Sequence, residues 1–298
     1  MRIYPECIPC ILGVRIKEMI NAGRRDGRVA LELMEYFIEI LRRGIDEGTI
    51  ASSMLYNWLI RRIPEVVEYY KKLKLETINR AMDSLPVYEG LLNGLEGYDE
   101  FRMAVKIAAL GNLFDTGVMG HESPAQLGVE DILQARISLD HTKKLYSLVK
   151  RGGLKIMYLL DNASEAVLDT LLMDILRRYG NYIVAVAKDE PGFQNDLTIE
   201  DAVYAGIERA ADELISTGTN SSSIFLDKIS SELIEKLRES DLIIAKGMAH
   251  YEYISLVENR LPIRTIFYIL VPKCKPVATA IGGAKGTIVV KMSTGDGL

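Results

Sequence analysis

The chain has 298 residues, 48% of them apolar and 26% charged, which excludes wholesale disorder and is enough for one large domain or two average ones. A net charge of -5 leaves no basic stripe of the kind a nucleic-acid polymer needs, while a small anion in a local basic pocket stays open. Arg2, Glu6, Arg15, Lys17 and Glu18 interrupt any apolar leader core, no run is long enough to span a membrane, and three cysteines are too few for a disulfide framework; the expectation is a soluble cytoplasmic protein.

From Cys7 to about Leu110 the apolar residues recur at helical spacing, as in Val29, Leu33, Phe37, Ile40 and Leu41. Turn chemistry at Gly23 to Gly27, Gly44 to Gly48 and Pro64 divides this region into separate helices. A helical amino-terminal domain over 1–145 is therefore expected. After about Gly152 short apolar runs alternate with amphipathic stretches, the pattern of a mainly parallel sheet in a Rossmann-like, three-layer α/β domain over 146–298. The expected strands are Leu154 to Leu160, Tyr182 to Ala187, Glu213 to Ser216, Leu242 to Ala245, Thr265 to Val271 and Thr287 to Lys291. Helices are expected to begin near Ser164, Ile199, Ile229, His250 and Lys275.

Open sheets of this kind bind ligands at the carboxyl ends of their strands. The first strand runs into Asp161 and Asn162, and the second is followed by Asn195 and Asp196. Two carboxylates and an amide oxygen suit a hard cation such as Mg²⁺ or Mn²⁺. Capping of the next helix is the ordinary use of Asp and Asn at such a junction, and a single junction would favour it. Two junctions in succession, joined by Lys246 and Lys273 at further strand tips, bring the metal reading ahead. A lysine is a point-charge phosphate binder, and Gly247 would let backbone N–H groups at a helix start approach an anion. The hydroxyl-rich loop with Thr217, Gly218 and Thr219 either lines the ligand or is only a turn, and Asn112 and Asp115 either reach the cleft or end a helix.

Cys7 and Cys10 form a candidate thiol pair at a helix start, with structural burial as the default. The glycine-rich stretch Ile281 to Gly286 lacks phosphate-loop spacing and precedes a strand, so it reads as a turn.

Taken in order, Cys7 to Cys10, Gly111 to Asp115, Asp161 to Glu165, Asn195 to Thr198, Ser216 to Thr219, Lys246 to His250 and Lys273 to Pro276 make the chain resemble the metal-dependent damage-control phosphatases, in their archaeal branch that opens with Cys-x-x-Cys. The resemblance runs nearly the whole chain. It implies a divalent cation (Mn, Ni, Co or Mg) at Asp161, Asn162 and Asp196, substrate contacts at Lys246, Gly247, Met248, His250 and Lys273, and hydrolysis of small phosphomonoesters such as sugar phosphates. The sequence departs from the family's pattern at Ser164, Leu197 and His250, the last of which alters a substrate contact.

Charge placement gives a mechanism in which Asp161 holds the cation, water attacks in line, and Lys246 and Lys273 stabilise the growing negative charge. An aspartyl-phosphate on Asp161 is the competing route, but Ala163 stands where a second acid would be needed. The rivals are an S-adenosylmethionine-dependent carboxyl methyltransferase, for which the glycine fingerprint is missing, and a non-catalytic phosphometabolite-binding protein.

Overall fold

The structure is a computed structural model that describes residues 1–111 and 128–294. Five helices come first: α1 (Cys7–Asn21), α2 (Gly27–Arg42), α3 (Gly48–Arg62), α4 (Glu65–Gly90) and α5 (Gly97–Leu110). Their breaks fall at the glycines and the proline that mark them in the sequence. A short α6 (Val129–Gln134) leads into β1 (Ile137–Asp140) and α7 (Thr142–Val149). The alternation that follows is β2 (Lys155–Leu159), α8 (Ala163–Arg178), β3 (Tyr182–Ala187), α9 (Ile199–Tyr204), β4 (Glu213–Ser216), α10 (Ser231–Glu239), β5 (Leu242–Lys246), α11 (Gly247–Val257), β6 (Ile266–Leu270), α12 (Lys275–Ile281) and β7 (Ile288–Ser293).

The seven strands form one sheet in the order β1-β7-β6-β5-β2-β3-β4. All neighbours are parallel except β6 and β7, so the sheet is a parallel block with a reversed pair at one edge. β1 is not among the expected strands: four residues with half-exposed alternation carry little apolar signal. It lies on the amino-terminal side of residue 145 and yet belongs to the sheet.

Each strand face packs on its own layer. Ile156, Tyr158, Ile244 and Phe267 meet α5, α7 and α8, while Met157, Leu159, Ile243 and Tyr268 meet α10, α11 and α12. α4 spans two cores: Val66 and Tyr70 pack with Tyr56 and Phe193, whereas Ile78, Ala81 and Tyr88 join the layer over the sheet. Packing therefore changes character within α4, with α1 to α3 as a helical cap and α5 already part of the α/β sandwich.

From β2 the chain moves outward through β3 and β4, then returns to the other side of β2 with β5 and β6. The order reverses between β2 and β5. At such a switch point the outgoing connections part, leaving a crevice at the carboxyl ends of the two strands.

Candidate metal and phosphate site

Asp161 follows β2 and Gly247 follows β5, so the crevice opens between them. The two are in van der Waals competition for one place: a Cβ on Gly247 would lie 1.8 Å from Asp161 Oδ2, and the backbone there has φ +75°. Glycine satisfies both demands, for space and for the left-handed backbone.

The second carboxylate arrives by a folded-back loop. After β3 the chain turns and returns along the segment that follows β2, with an antiparallel bridge between Asn162 and Asp196. Leu197 N–H donates to the Asp161 carbonyl at 2.8 Å, and Ala163 N–H donates to the Asn195 carbonyl at 2.9 Å. This backbone pairing ties the two loops together, and Asp161 and Asp196, both buried, line one cleft. Lys188, also buried, places Nζ 3.9 Å from Asp196 Oδ2. Its ammonium donates to the Ser222 carbonyl at 3.2 Å and stands 3.2 Å from His250 Nε2. Burial pushes the Lys188 ammonium down, against the pull of Asp196 and Asp161.

Asn162 has the ordinary role at its junction. Its side-chain oxygen accepts from Glu165 N–H at 3.0 Å and from Ser164 Oγ at 3.2 Å, capping α8, while its Nδ2 donates to Glu165 Oε2 at 2.7 Å. The carboxamide is thus turned into the helix start, and the pair that faces the crevice is Asp161 with Asp196.

Lys246 has a full set of protein partners. It is fully buried on the α5 and α8 side of the sheet, where Nζ donates to the Ala108 carbonyl at 2.9 Å, to Asp169 Oδ1 at 2.8 Å and to Glu165 Oε1. An ammonium has three donors, and all three are used here. Burial opposes its charge, but Asp169 and Glu165 outweigh that and hold it above the usual lysine range. It braces the start of α8 and has no donor left for a phosphoryl group.

His250 is likewise interior. Its Nδ1 is 3.1 Å from Ser223 Oγ and its Nε2 3.2 Å from the Leu160 carbonyl. Burial and then the Lys188 charge keep the ring well below the ordinary histidine range, hence neutral. It packs behind Lys188, with Nε2 3.2 Å from the Lys188 ammonium.

The loop after β4 closes on itself: Thr217 Oγ1 donates to the Thr219 carbonyl at 2.7 Å, Thr219 Oγ1 pairs with Ser221 Oγ at 2.9 Å, and Gly218 sits at φ +74°. These hydroxyls serve the turn. Lys273 is buried at the tip of β6, where its N–H donates to Met248 Sδ at 3.2 Å. Asn112 and Asp115 lie outside the described residues.

A cleft of about 150 Å³ opens on the carboxylates, lined on the sheet side by Asp161, Asp196, Ser222 and Met248, and on the cap side by Thr49 and Ser52 of α3. Cys7, Cys10 and Cys274 line it too, as free thiols. Burial pushes the Cys7 thiol up and that of Cys274 up to about 11, so neither is an activated thiolate. Among the described residues no three His, Cys, Asp or Glu side chains converge as a closed metal shell. Two buried carboxylates alone fit a hard, water-retaining cation, which takes one or two protein carboxylates and completes its shell with water and phosphate oxygens.

Lys188 is the residue the sequence reading passed over. It stands directly after β3, at the same edge as Lys246 and Lys273, and the strand-tip rule that singled those out applied to it equally.

Residues 3–289 match the family model described as the damage-control phosphatase ARMT1-like domain. The chain belongs to this family. It is 32% identical to a damage-control phosphatase of Archaeoglobus fulgidus over 98% of this chain and 99% of that one, and 30% identical to one of Pyrococcus horikoshii over 97% of each. An uncharacterized protein of Methanocaldococcus jannaschii is 32% identical over 95% of this chain and 92% of its own length. The crystal structure of a DUF89 family protein from Pyrococcus horikoshii superposes with a TM-score of 0.79, at 26% identity and 99% coverage of both chains.

Proposed function

We propose that this damage-control phosphatase family member is a divalent-metal-dependent phosphatase of small phosphomonoesters, sugar phosphates or related phosphometabolites, acting in metabolite damage control in the cytoplasm. The observation that carries the reading is that Asp161 and Asp196, both buried, line one cleft at the switch point, with Lys188 beside Asp196. The names of the relatives support the reaction class. No described helix is long and apolar enough to cross a membrane, and the cleft is of a size for a small metabolite.

Asp161 and Asp196 would hold the cation, Mg²⁺, Mn²⁺, Co²⁺ or Ni²⁺. Bound there, the cation supplies Lewis-acid polarisation of the phosphoryl group and acidifies a water. The chain's own groups do the rest. α11, eleven residues long, begins at Gly247 against Asp161, and its side chain at the capping position, Lys246, makes no cap hydrogen bond; the helix start is aimed at the crevice and suits a phosphoryl oxygen. Lys188 places positive charge where the equatorial oxygens gain negative charge, and Lys273 flanks the same edge. His250 and Ser222 hold Lys188 in place. Water is the nucleophile in this reading, because the residue two places after Asp161 is Ala163, which starts α8 and offers no acid to a departing alcohol.

The test is phosphate release from a panel of sugar phosphates and p-nitrophenyl phosphate with and without added Mn²⁺, Co²⁺, Ni²⁺ or Mg²⁺. The expected result is metal-dependent turnover of at least one substrate. Binding of sugar phosphates with no release under any metal would replace the phosphatase by a binding protein.

A further inference from the structure

The loop that carries Asp196 is gripped from the other side by the helical cap. Gln194, at φ +55°, is the one non-glycine with positive φ among the described residues. Its side chain is buried and donates through Nε2 to Glu18 Oε1 at 2.6 Å. Glu18 Oε1 also accepts from Tyr70 Oη at 2.8 Å and pairs with Arg15 Nη2 at 2.8 Å. The Arg15 guanidinium lies 5.2 Å from the Tyr56 ring centre and 5.3 Å from that of Phe193, and the two rings meet edge-on at 5.0 Å. Phe193 closes the turn, since its carbonyl accepts from Asp196 N–H at 3.0 Å. Residues from α1, α3 and α4 thus converge on two residues of one loop, immediately before a carboxylate of the site.

This network is poorly built for stability. Among the described residues neither Arg15 Nε nor Glu18 Oε2 has a hydrogen-bond partner, although both are buried. A buried ion pair with unsatisfied atoms gives little net stability over apolar residues of the same volume. What it does provide is a fixed position: a planar cation, a carboxylate and an amide, tied further by Gln194 Nε2 to Tyr70 Oη at 3.4 Å and Arg15 Nη1 to the Ser52 carbonyl at 3.4 Å, define where Gln194 sits, and through the turn where Asp196 points.

We infer that Arg15, Glu18 and Gln194 are positioning residues for Asp196, so that the helical cap sets the geometry of the metal carboxylate. The inference rests on the metal-phosphatase reading for its functional consequence. The clamp itself is testable without it.

The discriminating variant is Gln194→Gly, which keeps a backbone at ease with positive φ and removes only the side-chain link. In the metal-free protein, amide hydrogen exchange at Asp196 and Leu197 should accelerate by about tenfold or more while the melting temperature stays close to the parent's. Mn²⁺ affinity, measured by isothermal titration, should fall about 10- to 100-fold, the usual consequence of losing an outer-shell support. With p-nitrophenyl phosphate at limiting Mn²⁺ the loss should appear in kcat and be restored by excess Mn²⁺. Glu18→Gln keeps an acceptor for Gln194; it should melt lower, because Arg15 loses its counter-charge, yet bind Mn²⁺ within about threefold of the parent once folded. Unchanged exchange and unchanged Mn²⁺ affinity in Gln194→Gly would overturn the clamp, as would an affinity loss in Glu18→Gln equal to that in Gln194→Gly. Faster exchange together with a parent protein that binds no Mn²⁺ would leave the clamp standing and sink the metal reading alone.

Discussion

Lys188 and Lys246 stand at the tips of two strands of one sheet, both buried, and differ in everything that matters. Lys246 faces α5 and α8, where two carboxylates and a carbonyl take all its protons and raise its pKa. Lys188 faces the other layer, beside Asp196 and a neutral imidazole, and burial lowers its pKa. The first is a finished structural unit. The second sits where burial works against its charge, which under the proposed reading suits a group that meets an anionic ligand. A buried lysine at a strand tip is therefore not informative until its face is known.

Three experiments break or sharpen that contrast. The largest effect is expected from Gly247→Ala, which would place a methyl group into the Asp161 carboxylate. It should abolish Mn²⁺ binding and turnover together, as Asp161→Ala would. Second comes the lysine pair itself. Lys246→Met strands Glu165 and Asp169 without their cation and should cost about 3–5 kcal/mol of unfolding free energy. Lys188→Met should leave the denaturation midpoint nearly unchanged and lower kcat/KM roughly 10²- to 10³-fold. Equal stability losses in the two variants would erase the distinction.

The smallest effect is a pH dependence of the Lys246 cage. Burial, against the opposing charge of Lys246, pushes the Asp169 carboxyl from 3.8 up to about 7, and its Oδ2 has no hydrogen-bond partner among the described residues. Between those two values the folded state binds more protons than the unfolded state, so this group's contribution to stability falls as pH rises from about 4 to 7. Asp169→Asn removes the titration. Its deficit relative to the parent, measured by urea denaturation, should therefore be larger at pH 5 than at pH 8.

The two lysines mark the boundary of what the sequence carries. The fold was legible because the parallel strands are short apolar runs between helical stretches: β3 and β4 fall on the bounds expected for them, and α9 and α12 begin on the residues expected. The same feature hid the site's geometry. Strands buried on both faces carry no polar alternation, so nothing in Leu242 to Ala245 says that Lys246 continues the Ile244 face towards α8. Asp161 and Asp196 each follow a strand, as the sequence shows, but their meeting in one cleft depends on the pairing of 195–197 with 161–163, irregular segments with no local signal. Asn162 and the Thr217 turn went to local hydrogen bonds, the use that Asn and Thr favour wherever backbone donors or acceptors are near. The clamp of Arg15 and Glu18 looked like ordinary polar decoration of α1, and only burial marks it out.

The most direct test of the central claim is a crystal of the protein soaked with Mn²⁺ and inorganic phosphate, read by anomalous scattering. The expected result is one peak at roughly 2.0–2.3 Å from a carboxylate oxygen of both Asp161 and Asp196, with the phosphate between it and Lys188. A peak elsewhere, or density for phosphate against Lys246 with none at the two aspartates, would contradict the assignment.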